Sequence, residues 1–190
     1  GEYSFAITHT DGAEITENEG WNFIGNPYPS AVDAYQFLTT NTNIDGYLRF
    51  WDDGGDYTTY KTDDYAYWNL SGEAGAGAGG NAPNGYIGSC QGFFVRKTNP
   101  GSGNLVFRND MRAVETSRFF KNKTSETTER FKLELIIENN YFNEILIAFS
   151  KYAGDGYDRL FDARKTKGNP NIALYTELNN EPFAIQTFAP

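Results

Sequence analysis

The sequence predicts an all-β chain with at most one short helix, and three observations carry that prediction. Its apolar content is skewed toward rings, 15 Phe, 13 Tyr and 3 Trp against a single Met, and rings favour the half-buried surface of a sheet. Short apolar strings alternate with polar residues, the period of a strand with one face in and one face out. Between them stand clusters of Asn, Asp and Pro, with 20 Gly in the chain, residue types that turn the backbone and interrupt helices. Hydrophobic residues make up 39% of the 190, enough for a packed core, and the length holds one large β-domain, or one of ordinary size plus part of another.

Residues 3–8 (YSFAIT) read as a first strand, closed by an Asp11-Gly12 turn. Residues 20–24 (GWNFI) form a second, with Trp21, Phe23 and Ile24 assigned to the core. It is stopped by Asn26-Pro27-Tyr28-Pro29, where two prolines deny the ladder two donors and force an extended exit. Asn26 can bond its own backbone, so Trp21, Asn26, Pro27 and Pro29 read together as a folding staple. Ser30, with Asp33 three positions on, predicts a capping box and a short helix through Leu38.

Strands are expected over 46–51, 57–61 and 65–70, around turns rich in Asp and Gly. The Gly/Ala run 72–85 is expected to be a surface loop, and it lacks the Lys-Ser/Thr ending of a phosphate cradle. Residues 86–97 and 104–108 read as two strands joined by Asn99-Pro100-Gly101-Ser102-Gly103. Cys90, the sole cysteine, falls in the first of these and reads as a small buried hydrophobe, with no thiol available for an intrachain disulfide. The charged, hydroxyl-rich stretch 115–130 reads as a linker, so residues 1–114 are expected to form one β-domain. Residues 131–190 would then be the N-terminal strands of a second, truncated β-domain, or an extension packed on the first. There Phe131, Leu133, Leu135 and Ile137 share a face, Asn139-Asn140 turns the chain and 144–149 pairs back.

A net charge of −9 argues against a nucleic-acid partner, since no basic stripe exists to displace phosphate counterions. No stretch approaches the apolar length of a membrane span, which argues against direct membrane insertion. The chain opens at Gly1 without Met or signal peptide and stops just past the strand-like 183–188, so it is expected to be a piece of a longer polypeptide.

Seven strings, in order, resemble a recurrent C-terminal region of large secreted proteins of Bacteroidota that are exported by the type IX secretion system and described as adhesin-like. They are GWNFIGNPYPS (20–30), LRFWD (48–52), QGFFV (91–95), LVFRN (105–109) with Met111-Arg112, EILIAF (144–149), GYDRLFDA (156–163) and AIQTFAP (184–190). The resemblance implies antiparallel, jelly-roll-like β-sandwich modules placed before a sorting domain, and an extracellular or outer-membrane-surface location. It implies no catalytic residues.

Two clusters are candidates for ligand contact. Asp52, Asp53 and Asp56 in WDDGGDY offer carboxylates on a Gly-bearing loop to a hard cation such as calcium, although the D-x-D-x-D-G spacing of a dedicated loop is missing. Trp51, Tyr57, Tyr60, Tyr65, Tyr67 and Trp68 crowd together beside Asp, Asn and Thr, as a glycan-contact surface would require. Alternation puts Tyr65 and Tyr67 on one face and Trp68 on the other. A second acidic group, Asp155, Asp158 and Asp162, is expected to ion-pair with Arg159 and Arg164 at a structured corner. His9, the only histidine, reads as a surface residue rather than part of a triad or zinc site. These readings converge on a non-catalytic module of an exported cell-surface protein, serving adhesion or spacing and meeting a glycan or a surface protein. The alternatives are a carbohydrate-binding module of a secreted polysaccharide-degrading enzyme, and cargo held by secretion-system components.

Overall fold

A computed structural model describes residues 1–11, 19–52, 65–76, 82–113, 129–138, 141–166, 169 and 171–190. The first part of the chain forms β1 (Glu2–His9), β2 (Trp21–Gly25), β3 (Val32–Asp33), the helix α1 (Ala34–Thr40), β4 (Leu48–Trp51) and β5 (Tyr65–Asn69). Then come β6 (Gly72–Ala74), β7 (Tyr86–Ile87), β8 (Gly92–Arg96) and β9 (Gly101–Arg108). The C-terminal part adds β10 (Glu129–Ile137), β11 (Tyr141–Phe149), β12 (Ala163–Arg164), β13 (Thr176–Leu178) and β14 (Glu181–Phe188). The fold is all-β and sandwich-like, with α1 the only α-helix among the described residues.

A central sheet runs in the order β2-β8-β4-β5-β6. Its inner face contributes Ile24, Leu48, Phe50, Phe93 and Val95 to the main core. Ile7, Leu105 and Phe107 from the β1–β9 ribbon, with Phe37 and Leu38 from α1, cover that face. A second sheet, β10-β11-β14-β12 with β13 beside β14, lies against the outer face. There Tyr47, Tyr67 and Ala74 bury with Leu146, Ala163, Ala184 and Ile185. Pairing is antiparallel except between β11 and β14, which run parallel.

Polar contacts lock the C-terminal segment onto the first part of the chain. Arg159 donates from Nη1 to the Ile44 carbonyl (2.8 Å) and from Nη2 to the Leu38 carbonyl (3.1 Å). The Leu70 amide donates to the Leu160 carbonyl at 3.1 Å. Gly46 lies under this crossing so closely that a methyl group there would meet the Arg159 carbonyl oxygen at 2.0 Å. Asp45, buried beneath, faces Arg96 at 3.4 Å and Arg164 at 3.9 Å and accepts from the Tyr157 hydroxyl at 3.4 Å.

Several expectations are corrected. Asp33, not Ser30, caps α1: its Oδ1 accepts from the amides of Tyr35 (2.9 Å) and Gln36 (3.3 Å), so the helix starts at Ala34. The reason is that Val32-Asp33 first pairs with β7, which keeps Ser30 outside the helix. Cys90 is exposed at φ 58, because 86–97 is two strands, β7 and β8, with a turn between them. His9 is buried, its Nδ1 2.8 Å from the Lys97 carbonyl and its Nε2 3.8 Å from Glu19. The Gly/Ala stretch begins in β6, and β9 starts at Gly101, earlier than expected. The predicted strand 57–61, the Asn139-Asn140 turn, and 115–128 of the predicted linker lie outside the described residues, whereas Glu129 and Arg130 already belong to β10.

The acidic corner also differs from expectation. Asp158 Oδ2 accepts from the Gly154 amide at 2.5 Å, while Asp162 accepts from the amides of Asp158 (2.7 Å) and Thr187 (2.8 Å). The arginines go elsewhere, Arg159 to backbone carbonyls and Arg164 to Glu181 and Asp45. Carboxylates on a tight loop meet free amides first, and those bonds fix the corner.

Candidate functional site

The outer face of the central sheet extends beyond the area covered by the C-terminal sheet, and what it presents there is aromatic. Registers Phe23↔Phe94, Arg49↔Phe94 and Trp51↔Tyr65 place these side chains on one face of β2, β8, β4 and β5. Consecutive ring centroids are 4.9 Å apart for Phe23 and Phe94, 6.0 Å for Phe94 and Tyr65, and 5.1 Å for Tyr65 and Trp51. Phe23 is 65% exposed and Trp51 58%, while Phe94 and Tyr65 are half-buried between them. Each of these two outer rings thus shows an apolar face to water on a rigid strand, a cost that folding alone does not require.

Arg49 underlies the row. Its guanidinium sits 3.7 Å from the Trp21 ring centroid, 4.1 Å from that of Tyr65 and 5.2 Å from that of Phe94. Nη1 donates to the Thr166 hydroxyl, the whole side chain is buried, and Nε has no hydrogen-bond partner among the described residues. A cation held between ring faces stiffens both rings. Gly92 makes room for Phe23, since a methyl group at this position would come within 2.3 Å of the Phe23 ring tip.

The residues expected to contact a glycan divide. Trp51 and Tyr65 lie in the row. Tyr67 shares their face but is buried under the C-terminal sheet, its hydroxyl accepting from the Thr166 amide at 3.0 Å. Trp68 points to the inner face, packs on the main core and lies over Gly85. Tyr57 and Tyr60 lie outside the described residues, as do Asp53 and Asp56 of the candidate calcium set. Asp52 is half-buried, and among the described residues no group of three or more His, Cys, Asp or Glu is placed to hold a metal ion.

The staple residues occupy two environments. Asn26 is buried and saturated: Nδ2 donates to the carbonyls of Ser30 (2.9 Å), Ile87 (3.1 Å) and Gly88 (2.9 Å), and Oδ1 accepts from the Tyr28 amide (2.9 Å). Pro27 is half-buried and Pro29 exposed. Trp21 is half-buried beside Tyr47, at 6.1 Å, and packs against the second core, Ile24 enters the main core, and of the three side chains assigned to the core Phe23 is exposed instead.

The sequence alone does not mark Phe23, Phe94 and Arg49 as neighbours of Trp51. Alternation in WNFIG and GFFVR was the signal, because it sends Trp21 and Phe23 one way and Ile24 the other, and likewise separates Phe93 from Phe94. That the faces of β2, β8 and β4 coincide needed the sheet order.

A family model described as Domain of unknown function (DUF8693) matches residues 1–189. No curated protein and no solved structure matches the chain.

Proposed function

The chain belongs to the DUF8693 family, and on that premise we propose that it is a non-catalytic module of an exported cell-surface protein that works by contact through its aromatic face. The observation that carries the reading is the ring row from Phe23 to Trp51, held on a rigid sheet and open to solvent. Exposed rings backed by ordered strands give contact area at little entropic cost, since the side chains are already fixed by their neighbours. The export and surface location rest on the resemblance carried by GWNFIGNPYPS and the strings that follow it.

The kind of surface follows from the ring planes. Neighbouring rings are turned by 52°, 85° and 82°, so the strip undulates and offers no flat shelf for a run of sugar rings. An undulating apolar strip fits the irregular surface of a protein, where aromatic anchors carry much of the binding energy. The sugar reading keeps one specific support: Trp51, whose exposed indole is large enough to stack a single sugar.

A glycan array probed with the wild-type chain and Trp51→Ala separates the two. Silence from both, with binding to a purified surface protein, is the outcome expected. Array binding lost on Trp51→Ala assigns the face to sugar instead. If neither glycans nor proteins are bound, the contact reading fails.

A further inference from the structure

The nine residues of β10 form one border of the C-terminal sheet, pairing β11 along their whole length. Their other edge meets no strand among the described residues. Edge strands are ordinarily kept short or blunted, because their free amides and carbonyls invite another strand. This one is long, contains no proline, and exposes Phe131 (47%), Leu133 (44%) and Ile137 (45%) on one face and Ile136 (59%) on the other.

Its charges are arranged unevenly. Lys132 reaches Glu144 at 3.0 Å and Glu73 at 3.4 Å. Glu134 lies directly opposite Glu144 in the β10–β11 register and has no cation partner among the described residues. Within a single copy, then, two carboxylates face each other across the ladder, which is unfavourable.

We propose that β10 is a self-pairing edge whose occupant is β10 of a second copy of this chain, antiparallel and centred on Leu133. In this register Lys132 of each copy stands opposite Glu134 of the other, Phe131 opposite Leu135, and Leu133 opposite its own twin. The neighbouring registers are worse. A shift by one step toward the N-terminus puts Lys132 against Lys132, and toward the C-terminus Glu134 against Glu134. A one-residue slip sends the apolar side chains to opposite faces, and in-register parallel pairing sets every charge against itself. Of the three registers, the Leu133-centred pairing alone gives Glu134 a cation without setting like charges opposite each other under twofold symmetry, and it packs Phe131, Leu133 and Leu135 against their counterparts. The two C-terminal sheets become one continuous sheet, and the exposed Phe131 and Leu133 of both copies merge into a single patch.

Sedimentation velocity of the 190-residue chain over a wide concentration range tests this. A monomer–dimer equilibrium is expected. Glu134→Lys sets like charges opposite each other at two positions of the dimer and removes the Glu134–Glu144 repulsion within the monomer. It should weaken dimerisation by about tenfold or more without lowering the thermal midpoint recorded at a concentration where both chains are monomeric, so loss of folding cannot mimic the result. A chain that is monomeric at every concentration overturns the proposal, as does a dimer indifferent to Glu134→Lys. The register is read separately in a Cys90→Ser background with a short bis-maleimide. Leu133→Cys should cross-link two copies, whereas Ile137→Cys, about 27 Å along the strand from its twin, should not. Equal cross-linking at both positions contradicts the register.

Discussion

The guanidinium of Arg49 lies 3.7 Å from the centroid of the Trp21 ring, and its other side meets Tyr65 at 4.1 Å. This stack joins the covered and the open parts of the outer sheet face, because Trp21 packs toward the C-terminal sheet while Tyr65 leads into the exposed row. Arg49→Met keeps the apolar stem but removes the cation and its bond to Thr166. The expected cost is about 2 kcal/mol in equilibrium unfolding, together with a change in Trp fluorescence. An unaltered midpoint would mean that the stack is incidental.

Asn26 holds the corner after β2 by bonding three carbonyls and one amide in a buried setting. Asn26→Ala leaves those groups without partners and should destabilise the chain by about 3 kcal/mol. Asn26→Asp, of nearly the same shape, should be at least as harmful, since a carboxylate cannot donate to the carbonyls of Ser30, Ile87 and Gly88. Urea denaturation of the pair checks both statements, and a benign Asn26→Asp would contradict the assigned bonds.

Gly46 tests whether the C-terminal segment is packed as tightly as the contacts imply. A methyl group there would fall 2.0 Å from the Arg159 carbonyl oxygen, and neighbouring backbone cannot yield that distance cheaply. Gly46→Ala should cost about 3 kcal/mol and speed hydrogen exchange at the Leu70 amide, which bonds the Leu160 carbonyl. Wild-type exchange at Leu70 would show the crossing to be loose.

Asp162 supplies a pH dependence. Burial pushes its carboxyl up to about 6, against the opposing pull of the Asp158 and Thr187 amides. A carboxyl that binds its proton more tightly when folded favours the folded state at low pH. Its contribution is therefore fully present below the ordinary aspartate range and is lost as pH rises through about 6. Asp162→Asn removes this titration. The stability of wild type relative to Asp162→Asn should fall between about pH 4 and about pH 6, the window set by the unfolded and folded values. A difference that grows with pH over the same interval would reverse the assignment.

Much of the fold was legible because alternation in YSFAIT, GWNFI and YAYWNL is a local property of strands, and β1, β2 and β5 lie where it pointed. The exposure of Cys90 is not legible locally because a turn splits one apolar run, and the pairing of β7 with β3 and of β8 with β2 is what shows where the run breaks. The burial of His9 depends on Lys97, 88 residues away, a distance no local pattern spans. Phe23 shows the same limit at the site. Its alternation with Ile24 was readable, but which face lies open depends on how far the C-terminal sheet extends over β2 and β8.

The claim that matters most is that Phe23 and Trp51 are retained for contact and are dispensable to folding. Binding of the wild type and of Phe23→Ser/Trp51→Ser to one panel of immobilised surface proteins and glycans, with unfolding midpoints recorded alongside, addresses it directly. Binding by the wild type and about a tenfold or greater loss in the double variant are expected, at a midpoint changed by no more than a surface substitution allows. Equal binding by the two chains, or a double variant that fails to fold, would contradict it.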